Sequence, residues 1–345
     1  MAAYTTIDDA GAFFSAFLYT GTGSSLALTG VGLQPDLVWL KGLLGDTDFQ
    51  QFWFDAVRGA TKHVNSNSTI AEVTDVNSLT AFDSDGFTVG TTYGVNASTK
   101  NFVTWNWKAG TTTGIDTTGS TITPDGYSFN QTSGMSIIKY TGNNTSGALV
   151  PHGLGAVPGL IIVKELDINY WVVFHEAMGA TKYLYLNETS AAGTNINKWN
   201  DTAPTSVLFS LGNSGEVNAS GDDYIAYCFT GIQGYSKFGT YEGNGNANGT
   251  FVYTGFRPAF IMTKSIDSTS AWHIFDEKRL GYNPDNNELE ADTYAAQGTS
   301  DMIDIVSNGF KCRQSYDPNV AETYIYVAFA QSPFVNSNGA PTNAR

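Results

Sequence analysis

The feature that most constrains this chain is a threefold internal repetition with a period near 100 residues. Its anchor reads Gly32-Leu33-Gln34-Pro35-Asp36-Leu37-Val38-Trp39-Leu40-Lys41, then Gly155-Ala156-Val157-Pro158-Gly159-Leu160-Ile161-Ile162-Val163-Lys164, then Gly255-Phe256-Arg257-Pro258-Ala259-Phe260-Ile261-Met262-Thr263-Lys264. Each is a Gly/Pro turn feeding an apolar run that ends in lysine. Tyr19-Thr20-Gly21, Tyr140-Thr141-Gly142 and Tyr241-Glu242-Gly243 precede those lysines by 22, 24 and 23 residues, counted from the tyrosine. Aromatic runs starting at Phe102, Tyr224 and Tyr324 follow them by 61, 60 and 60. Phe54 to Gly59, Phe174 to Gly179 and Phe275 to Gly281 lie between, and Gly-Ala-Thr-Lys recurs unchanged at 59–62 and 179–182.

The register divides the chain into an N-terminal arm (1–12), repeats at 13–110, 135–234 and 235–334, a Thr/Ser/Gly-rich linker (111–134) and a C-terminal tail (335–345). Units of about 100 residues are large enough to bury a core and fold alone. The first repeat reads as short strands, Phe13 to Thr20, Leu26 to Thr29, Leu37 to Lys41, Gln50 to Ala56, Lys62 to Ser66, Leu79 to Phe82, Phe87 to Val89 and Phe102 to Trp107. Aromatic and β-branched residues dominate them, with turn residues between. The expected fold is all-β: three tandem antiparallel β-sandwich or jelly-roll-like repeats. A helical turn or two is expected only at Asn287 to Ala296.

Charged residues form 14% of the chain, and the net charge is −15. A surface of neutral hydrogen-bonding groups with no Lys/Arg cluster argues against nucleic acid and anionic membranes as partners. Cys228 and Cys312 fall at non-matching repeat positions, which is no disulfide framework. The start lacks a basic segment followed by an apolar one, so no export signal is read, and assembly in a reducing cytosol fits. Asn96-Ala97-Ser98 and Asn218-Ala219-Ser220 are glycosylation sequons of the kind that an Asn/Ser/Thr-rich chain produces by composition.

No phosphate loop, nucleophile elbow or metalloprotease signature occurs. His63, His152, His175 and His273 never stand at ligand spacing, so no metal and no cofactor are expected. Asp83-Ser84-Asp85-Gly86 offers too few acids for calcium and reads as a hairpin, as does Ser307-Asn308-Gly309. Asp55, His175 and Asp276 share one repeat position with different chemistry, which reads as a drifting solvated strand end and argues against a catalytic acid. Trp39, Trp105, Trp107, Trp171 and Trp272 fall in strands and are assigned to the core. Tyr93, Trp199 and Tyr316 fall in loops, and they are the candidate ligand-binding residues, suited to stacking on a sugar face.

The opening Tyr4-Thr5-Thr6-Ile7-Asp8-Asp9, the phrases Gly32 to Trp39 and Phe54 to Lys62, and the ending Ser332-Pro333-Phe334-Val335-Asn336-Ser337-Asn338-Gly339 resemble a family of tailed-phage virion structural proteins from marine and aquatic viruses. The resemblance spans essentially the whole chain. It implies a virion role, and the lack of a catalytic motif and of an export signal adds the expectation of a non-enzymatic component assembled in the host cytoplasm. A tail appendage or fibre-type protein for host contact or tail assembly is the first expectation, on the argument that three domains in series give reach. A capsid head-decoration or head-fibre protein is the alternative, and a glycan depolymerase a lesser one. Expected partners are other virion proteins, a host surface glycan, and further copies of the chain, a trimer above all, docked through the polar arm or linker.

Overall fold

The computed structural model describes residues 4–279, 283 and 287–342. Gly281 of the third Phe-to-Gly phrase, residues 1–3 of the arm and 343–345 of the tail lie outside the described residues. In the first third, β1 (Phe14–Thr20), β2 (Leu26–Thr29), β3 (Leu37–Gly42), β4 (Gln51–Asp55), β5 (Lys62–Asn65), β6 (Val73–Thr74), β7 (Leu79–Asp83), β8 (Gly86–Val89) and β9 (Asn101–Trp107) form a sheet of order β1-β9-β3-β4-β5-β6 and a smaller one, β2-β8-β7. In the middle third, β10 (Gly126–Asn130), β11 (Met135–Thr141), β12 (Ala148–Pro151), β13 (Leu160–Glu165), β14 (Trp171–His175), β15 (Lys182–Tyr185), β16 (Gly193–Thr194), β17 (Leu208–Leu211) and β18 (Asp223–Phe229) give β10-β11-β18-β13-β14-β15-β16 and the pair β12-β17. The last third has β19 (Ser236–Glu242), β20 (Phe251–Tyr253), β21 (Phe256–Ser265), β22 (His273–Asp276), β23 (Leu289–Glu290), β24 (Ile303–Val306), β25 (Gly309–Cys312) and β26 (Thr323–Pro333). They give β19-β26-β21-β22-β23 and β20-β25-β24.

The chain is all-β and its strand pairs are antiparallel. The expected helical turn at Asn287 to Ala296 is instead the short strand β23 and a turn: Leu289 pairs with Ile274 and Glu290 with His273. Edge pairing wins there because Leu289 enters the core. The Asp83–Gly86 hairpin forms, and Asp85 at its tip accepts the amides of Gly30 and Gly32, each at 2.9 Å. Those two bonds pull its carboxyl below the usual range.

Both faces of the large sheets are covered. Every residue of β3 and of β13 is buried, as continuous apolar runs require when a sheet has no wet side. One face of the first sheet packs Val38, Leu40 and Phe54 against Phe87 and Val89 of its small sheet. The other face carries Leu37, Trp39, Trp53, Trp105 and Trp107 into a core shared with Leu160, Ile162, Tyr227 and Phe229 and with Phe260, Met262, Ile274 and Phe329. At its centre, Trp107, Phe229 and Phe329 touch pairwise, with ring centroids 6.2, 5.5 and 5.6 Å apart. All three stand at one repeat position, five residues into the aromatic strand. Truncating any of them to Ala opens a cavity worth about 3–5 kcal/mol.

This common core corrects the expectation of domains in series. Nor is 111–134 a free spacer: β10 lies antiparallel on β11, and Thr111 exchanges both backbone bonds with Phe129, at 3.0 and 2.9 Å. The arm also folds back on its own chain. Ile7 is buried in the shared core, the Tyr4 hydroxyl donates to the Gly255 carbonyl, and Asp8 accepts from Ser337.

The large sheets are joined by bonds that recur at matching positions. Glu72 N donates to Leu166 O at 2.7 Å, Ala192 N to Ile266 O at 3.0 Å and Gln297 N to Leu43 O at 3.0 Å. One layer further in, the side chains of Trp171, Trp272 and Gln51 donate to the carbonyls of Asn65 (2.9 Å), Tyr185 (2.9 Å) and Glu290 (2.6 Å). Deeper still, Tyr227 donates to Asp55 at 2.8 Å, Trp105 to Asp276 at 3.0 Å, and His175 Nε2 to the Tyr326 carbonyl at 3.3 Å. Asp55, His175 and Asp276 are therefore not solvated strand ends. They are buried at the seams, and their chemistry varies because each meets a different neighbour.

Candidate functional site

The loop that follows each small-sheet strand is built around the same anchor in all three thirds, and in the first and last thirds it displays Tyr93 and Tyr316. Its anchor is a buried asparagine, Asn96, Asn218 or Asn319, each 0% exposed. Asn96 donates to the carbonyls of Ser24 and Gly90, both at 2.6 Å, and accepts from Thr22 N at 2.8 Å. Asn218 does the same with Thr145, Gly212 and Asn143 N, and Asn319 with Asn246, Gln314 and Asn244 N. The tyrosine of each Tyr-x-Gly motif reaches the same loop: Tyr19 donates to Val95 O, Tyr140 to Val217 O and Tyr241 to Pro318 O.

The glycine of that motif admits the loop. A Cβ at Gly21, Gly142 or Gly243 would lie 2.3, 2.1 or 1.9 Å from the carbonyl oxygen of Ala97, Ala219 or Val320. Sequence reading missed the asparagines, although Asn96 and Asn218 had been noted as sequons. Their constant spacing from the anchor lysines, 55, 54 and 55 residues, was the available signal. A buried amide with both ends bonded is no glycosylation acceptor in the folded chain.

Tyr93 opens the short helix Tyr93–Asn96, is 47% exposed, and stacks on Phe49 at 5.3 Å and 13°. Tyr316, three residues before Asn319 as Tyr93 is before Asn96, is 45% exposed. Both present a ring face or edge to solvent on a firmly held loop. Trp199 does not. It ends the helix Ile196–Trp199, which is capped by the Asn195 side chain, and the turn carries its indole inward to meet Phe174 at 5.8 Å, leaving it 2% exposed. Ile196, 53% exposed, and Asn197 are the residues that this helix shows to solvent. Among the described residues no ring contact joins any two of the three candidates, so they form no single site. The five tryptophans assigned to the core are all buried.

Two groups of titratable side chains converge. Glu165, Asp167 and Asp222 sit at the seam between the first two large sheets, where a cleft of about 440 Å³ is also lined by Lys62, Glu72 and Lys139. Burial raises the Glu165 carboxyl, and Asn169 Nδ2 binds one of its oxygens. In the last third, His273, Glu288 and Glu290 lie together, with His273 Nδ1 2.5 Å from Glu288 Oε1. His273 and Glu288 thus form a hydrogen-bonded pair, both residues buried. Cys228 and Cys312 are free and buried, and burial pushes the Cys312 thiol up to about 12.

Residues 9–333 match the model of the family DUF7483, a domain of unknown function. No curated protein and no solved structure matches the chain.

Proposed function

The chain belongs to the DUF7483 family, a domain of unknown function, and on that premise we propose that it is a structural protein of a bacteriophage virion. In this reading it is three tandem antiparallel β-sandwich repeats of about 100 residues, closed on one another as a covalent pseudo-trimer. The supporting observation is the rotational sense of the seam bonds. In one layer the first large sheet donates to the third, the third to the second and the second to the first through matching residues, and in the outer layer the donors run the opposite way and again return after three steps. Heterologous contacts that return after three steps close a ring. Such a body suits a partner with threefold symmetry, which a virion offers at capsid threefold positions and along trimeric fibres.

A tail appendage that contacts the host or links tail parts is the first placement. Tyr93 and Tyr316 are its candidate glycan contacts, since a chain of net charge −15 needs short-range stacking and neutral hydrogen bonds to hold an anionic cell surface. Trp199 is no longer a contact. The shared core favours the second placement, capsid decoration, because it removes the reach of a series of domains and leaves one compact body. No hydrolytic activity is assigned. Gold labelling of intact particles tests the reading: label at the tail supports the first placement, label over the capsid faces supports the second, and unlabelled particles overturn both. Release of reducing sugar from host glycans would make the chain a depolymerase.

A further inference from the structure

We propose that the open edge of β19 is a docking site at which an extended segment of a different polypeptide adds a strand, as β10 adds to β11 within this chain. The inference goes beyond the virion reading and uses only the correspondence between the last two large sheets. In the middle third the 111–134 segment covers two neighbouring edges. β10 pairs with β11, Tyr127 opposite Ile138 and Phe129 opposite Ser136. Thr121 and Ile122 donate to Leu149 O on β12, at 3.0 and 3.1 Å, and Ile122 is buried by the contact. Phe129 lies against Gly153, where a Cβ would come within 2.9 Å of its ring.

Among the described residues no strand is added to the same two edges of the last third, where the arm places Tyr4 and Thr5 beside Gly255 and Gly234. β19 ends its sheet with only β26 beside it. On β20, Phe251 and Tyr253 are 47% and 48% exposed, at the positions that Leu149 and Pro151 hold on β12. Gly239 stands where β11 has Ile138, and the Tyr326 ring of β26 lies over it, within 2.8 Å of where a Cβ would stand, so β19 itself offers an incoming strand a flat edge with no side chain at that position. The matching position of β1 is Phe17, which packs against the first third's own core. Of the three matching positions, only that of β19 carries no side chain. A cleft of about 340 Å³ runs there, lined by Tyr4, Gly234, Lys237, Tyr253 and Gly255.

Charge identifies the occupant. Lys237 is the cation in that cleft: its ammonium donates to Tyr253 O at 2.8 Å and lies 5.3 Å from the centre of the Tyr253 ring. Partial burial lowers its pKa, and an acidic neighbour would restore it. A second copy of this chain carries a net charge of −15 and repels the first, whereas a short segment with one or two acids and alternating aromatics gains the strand pairing and the ion pair together. Open edges are competent for such addition because their backbone donors and acceptors have no partner within the sheet.

The probe is a labelled synthetic peptide of residues 118–131, Thr118 to Gln131, added to the full-length protein and followed by fluorescence anisotropy and hydrogen exchange. Saturable micromolar binding is expected, with new amide protection at 237–241. Lys237→Glu and Tyr253→Ala should each weaken it at least about tenfold while leaving the melting temperature of the free protein in place. Absence of binding at millimolar peptide, protection elsewhere, or affinity unchanged by both substitutions would overturn the proposal. Self-association of the protein that Lys237→Glu abolishes would assign the edge to a second copy and overturn it as well.

Discussion

At the residue scale, one seam position shows how different chemistry does one job. Arg58 Nε meets Asp55 at 2.5 Å and Arg279 Nε meets Asp276 at 2.6 Å, all four side chains nearly or wholly buried. Each arginine also donates to a backbone carbonyl, Trp53 O at 2.9 Å or Ile274 O at 3.0 Å. The middle third has His175 and Met178 at those places, and burial holds the His175 imidazole down at about 4, so it is neutral at pH 7. A buried ion pair adds little over a well-packed neutral pair, but removing one partner strands a charge. Arg279→Met should therefore cost about 3–5 kcal/mol in urea unfolding, and adding Asp276→His should recover most of that. A double variant no more stable than the single one would refute the equivalence. The anchor lysines give a pH signature. Burial lowers Lys41 to about 7, and Lys164 and Lys264 to about 8, from an ordinary 10.5. Between those values and 10.5 the unfolded chain binds more protons than the folded one, so stability rises with pH across that window. Melting temperature should climb from pH 7 to 9, and Lys41→Met should flatten the climb.

At the scale of elements, the loop held by Asn96, Asn218 and Asn319 depends on one side chain more than on its length. Asn218→Ala leaves the Thr145 and Gly212 carbonyls and the Asn143 amide without their partner, a loss of about 2–4 kcal/mol at a site closed to water, while Asn218→Asp should lose nearly as much because a carboxylate cannot donate to two carbonyls. Equilibrium unfolding of the two variants checks this, and a cost below about 1 kcal/mol for either would remove the loop's anchor role. The strands were legible: Leu37 to Lys41, Leu79 to Phe82 and Phe102 to Trp107 match β3, β7 and β9 within a residue, because turn residues and β-branched or aromatic runs are local signals. The sites were less so. Tyr93 and Tyr316 are exposed as loop aromatics should be, but Trp199 looked the same in sequence and a single helical turn reversed it. Two-face burial was written in the runs Leu37 to Leu40 and Leu160 to Val163, which alternate nothing. What covers the second face is another third of the chain, and no local pattern encodes that.

At the scale of the whole molecule, the shared core decides how the chain unfolds and scatters. A middle third cut free would expose Ile137, Ile162, Tyr227 and Phe229, all of which bury against the other two large sheets. The same cut breaks the bonds from Trp171 to Asn65, from Trp272 to Tyr185 and from Tyr227 to Asp55. Loss of any one large sheet thus destabilises both others, and the chain should melt in one transition whose calorimetric and van't Hoff enthalpies agree. Three bodies in series would melt separately, and in small-angle scattering they would extend far beyond the radius of gyration of about 20 Å that a compact 345-residue body has. The arm that was expected to bind a neighbour is used within the chain, through Ile7 and the Tyr4 bond to Gly255, so any homotrimer must use other surfaces. Light scattering should then report a mass near 37.0 kDa for the isolated chain at micromolar concentration. Separable melting transitions, or a fragment 135–234 that folds as a monomer, would show that the common core is dispensable. The pseudo-trimer would then be three neighbours and not one cooperative body.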